Sequence, residues 1–118
     1  MNSSRKNAFE YYQRLAKVRR QLEDNISEPY SIEAAARVAN LSPKYFSAYF
    51  LRRTGVRFTD WVNATRVEYA RGLIRDRNRS ITAVAFAAGF QDLRTFERVF
   101  KKHRSMTPRA YRREVRPD

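Results

Sequence analysis

The sequence predicts an all-α protein in which two helix-turn-helix subdomains are joined by a long linker helix. Three observations support this fold class. Gly and Pro are scarce, with 3 and 4 among 118 residues, so few positions interrupt a helix. Apolar residues recur at steps of three and four, whereas the alternation of a strand is absent. A segment of the first half also resembles one of the second half, which indicates about seven helices in two similar groups.

The first helix-turn-helix unit is predicted from helix caps and a tight turn. A leading helix over residues 8–25 has one apolar face, formed by Phe9, Tyr12, Leu15, Val18 and Leu22. Ser31 and Ser42 are expected to cap the helices Ile32–Ala39 and Pro43–Thr54. Asn40 tolerates the left-handed conformation that ends a helix, so the turn between these helices is short.

The linker helix is predicted over residues 59–76. Its apolar face consists of Trp61, Val62, Thr65, Tyr69, Leu73 and Ile74. Thr59 or Asp60 is expected to cap its N-terminus. Gly72 lies inside this helix, where Gly costs about 1 kcal/mol relative to Ala, so close packing is expected there. The predicted organisation is a first subdomain at residues 8–57, a linker at 58–77 and a second subdomain at 78–113.

The second half of the chain repeats the pattern of the first. Residues 80–85 (SITAVA) match residues 31–36 (SIEAAA) at an offset of 49, and the offset becomes 50 after the turn. Ser80 is expected to cap a helix over residues 81–88, and Asp92 a helix over residues 93–102, with Gly89 in the turn. The matched order of caps, turn and aromatics indicates a duplication. Two such units would place two recognition helices about 34 Å apart, one turn of B-DNA, without dimerisation.

The second helix of each unit has an inward apolar face and an outward polar or basic face. The inward residues are Phe46, Tyr49 and Phe50 in the first unit, and Leu93, Phe96, Val99 and Phe100 in the second. The outward residues are Lys44, Ser47, Ala48 and Leu51 in the first unit, and Arg94, Thr95, Arg98, Lys101 and Lys102 in the second. Because the major groove of DNA admits one α-helix, both outward faces suit that groove.

The charge favours a polyanionic partner. Lys and Arg number 25 against 12 Asp and Glu, which gives a net charge of +13. Such a field attracts nucleic acid, although it would also suit a membrane surface. Against the membrane, no basic amphipathic helix with an exposed apolar face stands out. No apolar stretch approaches the ~20 residues of a membrane span, and no signal-peptide pattern is present, so a cytoplasmic location is expected.

Most enzyme chemistries lack their residues here. The chain has no Cys and a single His, so no nucleophilic Cys, thiolate metal site or paired-His site is expected. Its 3 Gly residues form no phosphate-binding loop. The prediction is therefore a protein that is not an enzyme and that uses no metal or cofactor.

The second half carries a signature that resembles the AraC/XylS family of bacterial transcription regulators. Residues 81–85 (ITAVA) lead to Gly89 and Phe90, then to residues 96–102 (FERVFKK), 107–108 (TP) and 111–112 (YR). Arg66, Ala70 and Leu73 fit the linker helix of that family, and residues 23–26 resemble the entry of stand-alone MarA-like members. The similarity covers roughly residues 15–113. It implies that one monomer inserts both recognition helices into successive major-groove segments of double-stranded DNA.

The resemblance also assigns residues to DNA. The implied base-reading residues are Lys44, Ser47, Ala48, Arg94, Thr95 and Arg98. The implied phosphate contacts are Ser42, Arg52, Arg53, Lys101 and Lys102. Two positions depart from the family. MarA-like members have larger hydrogen-bonding side chains at the positions of Ser47 and Ala48, and the family often has Gly where Ser105 stands.

Several alternatives stay open at the level of sequence. A nonspecific nucleic-acid-binding or architectural protein would use the same charge without reading bases. A protein–protein adaptor would keep the fold, although the basic outward faces argue against it. The resemblance implies an activator that touches RNA polymerase and acts as a monomer. The chain is either a complete small regulator or the C-terminal part of a larger protein with a sensor domain.

Overall fold

The structure is a computed structural model that describes residues 8–9 and 12–116. Within these residues all regular structure is helical, which confirms the predicted class. The helices are α1 (Gln13–Asp24), α2 (Ile32–Ala39), α3 (Pro43–Thr54), α4 (Phe58–Leu73), α5 (Ile81–Ala87), α6 (Leu93–Arg104) and α7 (Pro108–Glu114). Ala8 and Phe9 are also helical.

The described residues divide into two compact units. The first contains the residues up to Asn25 together with Pro29–Val62, and so holds α1, α2, α3 and the start of α4. The second contains Ile26–Glu28 and the residues from Asn63 onward, and so holds the rest of α4 with α5, α6 and α7. The boundary falls inside the helix that the sequence assigns to the linker.

Aromatic rings fill the core of the first unit. Phe46 and Phe50 of α3 are fully buried, and the ring of Phe58 meets them edge-on at centroid distances of 5.4 and 5.5 Å. Trp61 lies 5.4 Å from Phe50. Small residues on α2 let the neighbouring helices approach, because a methyl group occupies little space. These buried small residues are Ala35, Ala36 and Ala39.

The second unit repeats this plan with a less aromatic core. Phe96 and Phe100 of α6 are fully buried at the positions that match Phe46 and Phe50. Tyr111 of α7 packs edge-on against Phe100 at 5.6 Å. Aliphatic side chains complete this core, among them Val67, Ile74, Ile81, Val84 and Val99. Both predicted inward faces are thus buried, except that Leu93 is only partly covered.

Four of the predicted helix caps are confirmed. The side-chain oxygens of Ser31, Ser42, Ser80 and Asp92 each accept a hydrogen bond from the backbone N–H three residues later. Asn40 has a φ of +60°, as expected of the residue that ends α2. The bounds of α2 and α3 agree with the prediction, while α5 ends one residue earlier and α6 two residues later than expected.

The leading helix differs from its prediction. A continuous helix over residues 8–25 is wrong, because Tyr12 has extended backbone angles and α1 begins at Gln13. The ring of Tyr12 packs against Tyr49 at 6.4 Å, so this residue contributes to the first unit without being helical. Residues 10 and 11 lie outside the described residues.

The linker helix requires four corrections. It begins at Phe58, so Thr59 and Asp60 lie in its first turn and do not cap it. It ends at Leu73 rather than Asp76, and the carbonyl oxygens of Ile74 and Asp76 accept hydrogen bonds from the Arg112 side chain at 2.9 and 3.2 Å.

The other two corrections concern the buried face of α4. The buried residues of the helix and its end are Phe58, Val62, Arg66, Val67, Ala70 and Ile74. Tyr69, predicted on the apolar face, lies off this stripe and is 45% exposed. Gly72 is exposed as well, and a Cβ placed there would meet no atom within 4 Å. The expected close packing at Gly72 is therefore wrong.

Candidate nucleic-acid interface

The start of α3 is built to present three side chains outward. The Ser42 hydroxyl accepts from the Tyr45 N–H at 3.2 Å, and Pro43 follows at the first helical position. One face of α3 is buried in the core through Phe46, Tyr49 and Phe50, so the residues on the opposite face point to solvent. The exposed residues include the predicted base-readers Lys44, Ser47 and Ala48, and Leu51 is exposed beside them.

Arginines at the end of α3 lie on tyrosine rings. The Arg53 guanidinium lies 5.0 Å from the ring of Tyr12 and 5.2 Å from that of Tyr49. Arg52 lies 5.9 Å from the ring of Tyr45. These cation–π contacts restrict the two exposed guanidinium groups for which the resemblance implies phosphate contacts.

Tyr45 is a surface residue that the sequence analysis did not select. Its side chain is 51% exposed, and its ring stacks on that of Tyr49 at 6.4 Å. Tyr45 precedes Arg52 by seven residues, so both lie on one stripe of the helix. This spacing could have indicated the contact from the sequence, because an aromatic ring seven residues before an arginine lies on the same face of the helix and can pack against the arginine side chain.

The start of α6 has a different cap. The Thr95 N–H donates to Asp92 Oδ1 at 2.8 Å, and the Thr95 hydroxyl donates to Oδ2 at 3.0 Å. These two hydrogen bonds, with Arg94 and Arg98 nearby, hold the pKa of Asp92 below its ordinary value of 3.8. Thr95, a predicted base-reader, therefore has its hydroxyl engaged by the cap and is only partly exposed.

The outward face of α6 is strongly basic. Arg94 and Arg98 are both exposed and lie four residues apart, hence on one face. Lys101 and Lys102 are exposed in the last turn, where positive charge also complements the helix dipole. The structure thus brings the predicted base-reading and phosphate-contacting residues of this unit to one helix surface, opposite the buried Phe96, Val99 and Phe100.

The two turns have matching geometry. The Leu41 N–H donates to the carbonyl of Ala36 at 2.9 Å, and the Phe90 N–H donates to that of Ala85 at 3.0 Å. Both donors and both acceptors are 49 residues apart, and each turn contains a residue of positive φ, Asn40 or Gly89. The backbone of the turn is therefore the same in both units, whereas the outward side chains of the helices that follow differ.

The ends of α3 and α6 match as well. Gly55 and Ser105 follow these helices with φ angles of +80° and +64°. Ser105 therefore adopts the left-handed conformation that a glycine would take at this position, and its N–H donates to the carbonyl of Lys101 at 2.8 Å. Ser105 thus takes the left-handed conformation although it is not glycine.

A buried arginine supports the turn of the second unit. Arg66 is 5% exposed, and its guanidinium donates to the carbonyls of Ala88 at 3.2 Å, of Glu28 at 2.9 Å and of Ile26. Burial lowers the pKa of Arg66 from its ordinary value. Gly89 lies against this group, since a Cβ there would overlap both the guanidinium and the Ile26 carbonyl. Sequence reasoning placed Arg66 in the linker but did not identify this role.

Residues 8–9 and 12–116 contain no group of three or more His, Cys, Asp or Glu side chains that could hold a metal ion. Nor is any helix in this part of the chain long and apolar enough to cross a membrane.

Two helix-turn-helix units whose second helices expose a polar or basic face define a DNA-binding protein of the transcription-regulator class. The sequence matches a protein family described as "Helix-turn-helix domain" over residues 35–114. The chain belongs to the AraC-type family of helix-turn-helix DNA-binding regulators, which confirms the resemblance. These proteins bind double-stranded DNA through such domains. The matches are transcription regulators rather than enzymes, in agreement with the prediction.

Known proteins are similar to this chain in sequence and in fold. An uncharacterised HTH-type transcriptional regulator of Bacillus subtilis, YobQ, is 32% identical over 97 residues, which is 82% of this chain and 40% of that protein. The chain therefore spans about two fifths of the length of that relative.

Two solved structures resemble the chain. An AraC-type regulator from Chromobacterium violaceum has 25% identity and a TM-score of 0.78, with coverage of 86% of this chain and 91% of that one. The DNA-binding domain of the global transcriptional factor AdpA, solved in complex with a target DNA, has 26% identity and a TM-score of 0.78. That similarity covers 83% of this chain and 88% of that one.

Proposed function

We propose that this chain binds DNA in a sequence-specific manner as a monomer, with α3 and α6 in successive segments of the major groove. The observation that carries the proposal is the duplication itself. Each unit has a capped second helix whose inner face is buried and whose outer face is polar or basic. One chain thus supplies the two reading elements that other helix-turn-helix proteins obtain by dimerisation.

We assign the dominant base reading to α6. Arg98 and Arg94 are exposed on one face, and a bidentate contact of Arg with guanine is the commonest specific contact in the major groove. In α3 the position that matches Arg98 is Ala48, which can contact a thymine methyl group but can form no hydrogen bond through its side chain. Lys44 and Ser47 are the polar readers of the first unit.

Phosphate contacts are assigned to residues beside these faces. Arg52 and Arg53 are restricted by tyrosine rings, Lys101 and Lys102 end α6, and Ser42 lies at the start of α3. Contacts of this kind set the register of the protein on DNA but carry no sequence information themselves.

Activation of transcription is the regulatory outcome we propose. Its support is membership of the family, in which a bound monomer touches RNA polymerase. A sensor domain would belong to the parts of longer relatives that this chain does not span. Reading of DNA by the two units requires neither partner.

The first experiment is selection of binding sites from a random double-stranded library at about physiological salt. Two short conserved blocks centred roughly 10 base pairs apart, with no palindrome, are expected. A single block would show that the unit with Ser47 and Ala48 only positions the protein. Tight, salt-sensitive binding without enrichment would support the alternative, a nonspecific binder that uses the basic surface without base readout.

Two substitutions separate base reading from phosphate binding. Arg98→Ala should cost about 1–3 kcal/mol at the selected site and relax the preference at one base pair. Lys102→Ala should weaken all duplexes alike and reduce the salt slope by about one. Affinities for the selected duplex and its single-base variants measure both effects. If Arg98→Ala weakens every duplex equally, Arg98 is not a base-reader.

A further inference from the structure

The two recognition helices differ in charge at the capping residue that precedes each of them. Ser42 and Asp92 are matched in the repeat, and each accepts a hydrogen bond from the N–H three residues on. The backbone role of these caps is therefore the same. One cap is a neutral hydroxyl and the other is a carboxylate, so the second unit has a negative charge where the first has none.

The carboxylate of Asp92 is exposed, accepts two hydrogen bonds and is ionised at neutral pH. Its two oxygens accept from the backbone N–H and the hydroxyl of Thr95, which restrict its rotation. The positive end of the helix dipole further favours the anion. Since its pKa lies below 3.8, Asp92 keeps its charge at neutral pH.

Residues at the start of a recognition helix are those that approach DNA most closely. A carboxylate there repels phosphates whatever the sequence, and the repulsion is strongest at low salt. It also reduces the local attraction that Arg94 and Arg98 exert on a phosphate. A carboxylate is less unfavourable beside a base edge than beside a phosphate, because the amino groups of cytosine and adenine donate hydrogen bonds in the major groove.

We propose that Asp92 is a specificity-determining residue of the second unit. Its charge weakens binding to the DNA backbone, so that Arg94 and Arg98 add affinity mainly where they find their bases. The proposal rests on the function proposed above and adds a role that opposes affinity. Asp92 thereby raises the ratio of specific to nonspecific binding rather than the strength of either.

The test is Asp92→Asn, which removes the charge and retains a good N-cap. Binding to a random-sequence duplex at low salt should tighten by about threefold to tenfold. Binding to the selected duplex should tighten less, so the specificity ratio should fall. Thermal unfolding, followed by circular dichroism, should show that the variant folds like the parent.

Matched variants separate position from net charge. Ser42→Asp introduces the same charge at the matched position of α3 and should weaken the random duplex by a similar factor, whereas the neutral Ser42→Asn should lack the part due to charge. Glu114→Gln changes the net charge as Asp92→Asn does, but on the exposed end of α7. It should leave the specificity ratio unchanged.

The proposal is overturned if Asp92→Asn binds the random duplex no more tightly than Glu114→Gln does. It is also overturned if the specificity ratio rises. A parent protein that prefers no sequence would refute the proposed function instead. In that case the random-duplex measurement would still show whether Asp92 repels the backbone.

Discussion

Gly89 and Gly55 illustrate two different reasons why a position in the chain requires glycine. Both have positive φ angles, +96° and +80°, which cost a side chain about 1–2 kcal/mol. A Cβ at Gly55 would meet nothing within 4 Å, whereas a Cβ at Gly89 would overlap the Arg66 guanidinium. Gly89 therefore has a steric requirement in addition to a conformational one.

Gly55→Ala should thus lower the free energy of unfolding by about 1–2 kcal/mol, while Gly89→Ala should lower it by at least about 2 kcal/mol more. The added loss arises because the guanidinium must leave carbonyls that it satisfies. Urea unfolding of both variants measures the difference. Equal losses would show that Arg66 moves aside freely and does not hold this turn.

The position of Gly89 in a turn was predictable from the sequence, but its contact with Arg66 was not. The guanidinium donates to carbonyls that lie 22, 38 and 40 residues away along the chain. Hydrogen bonds of such separation follow no helical or strand period. A buried arginine inside a helix also looks the same in sequence as an exposed one.

At the scale of the element, the bounds of a helix were predicted best where capping residues mark both of its ends. The bounds of α2 and α3 agree with the prediction because side-chain caps and left-handed residues mark their ends. The buried face of α4 was mispredicted, since it includes Arg66 and the small Ala70, which carry little hydrophobic signal. The outward faces of α3 and α6 were identified because their inward faces are rich in phenylalanine.

The open surroundings of Gly72 give a prediction for α4. Gly72→Ala should raise the free energy of unfolding by up to about 1 kcal/mol, because Ala restricts the unfolded chain and has the higher helix propensity, although Gly72 is the second-last residue of α4. Ala64, exposed in the same helix, offers the reciprocal control. Ala64→Gly should lower stability by a similar amount in the same urea titration. A loss of stability in Gly72→Ala would show that a neighbour approaches this position after all.

At the scale of the whole molecule, the net charge of +13 does not give the number of phosphates bound. Only side chains that neutralise phosphates release counterions. The proposed phosphate contacts contain four charged residues, which are Arg52, Arg53, Lys101 and Lys102. The remaining basic residues contribute to long-range attraction, which salt screens.

The salt dependence of binding tests this division. For the selected duplex, the logarithm of the association constant should fall with the logarithm of salt concentration at a slope of about −4. Fluorescence anisotropy titrations at several salt concentrations give the slope. A value near −6 would correspond to about seven neutralised phosphates, as expected if Lys44, Arg94 and Arg98 also contact phosphates, which would contradict their proposed roles as base-readers.

The unequal side chains of the duplicated unit have a consequence for evolution. In a symmetric dimer, a mutation in a recognition helix appears twice and demands matching changes in both halves of the operator. In the binding mode proposed here, the matched positions of Ala48 and Arg98 can mutate independently, so that one residue changes together with one base pair. The unchanged unit retains its share of the binding energy meanwhile. If both units read DNA as proposed, a lineage with this architecture can acquire new binding sites in small steps, each of which leaves a protein that still binds.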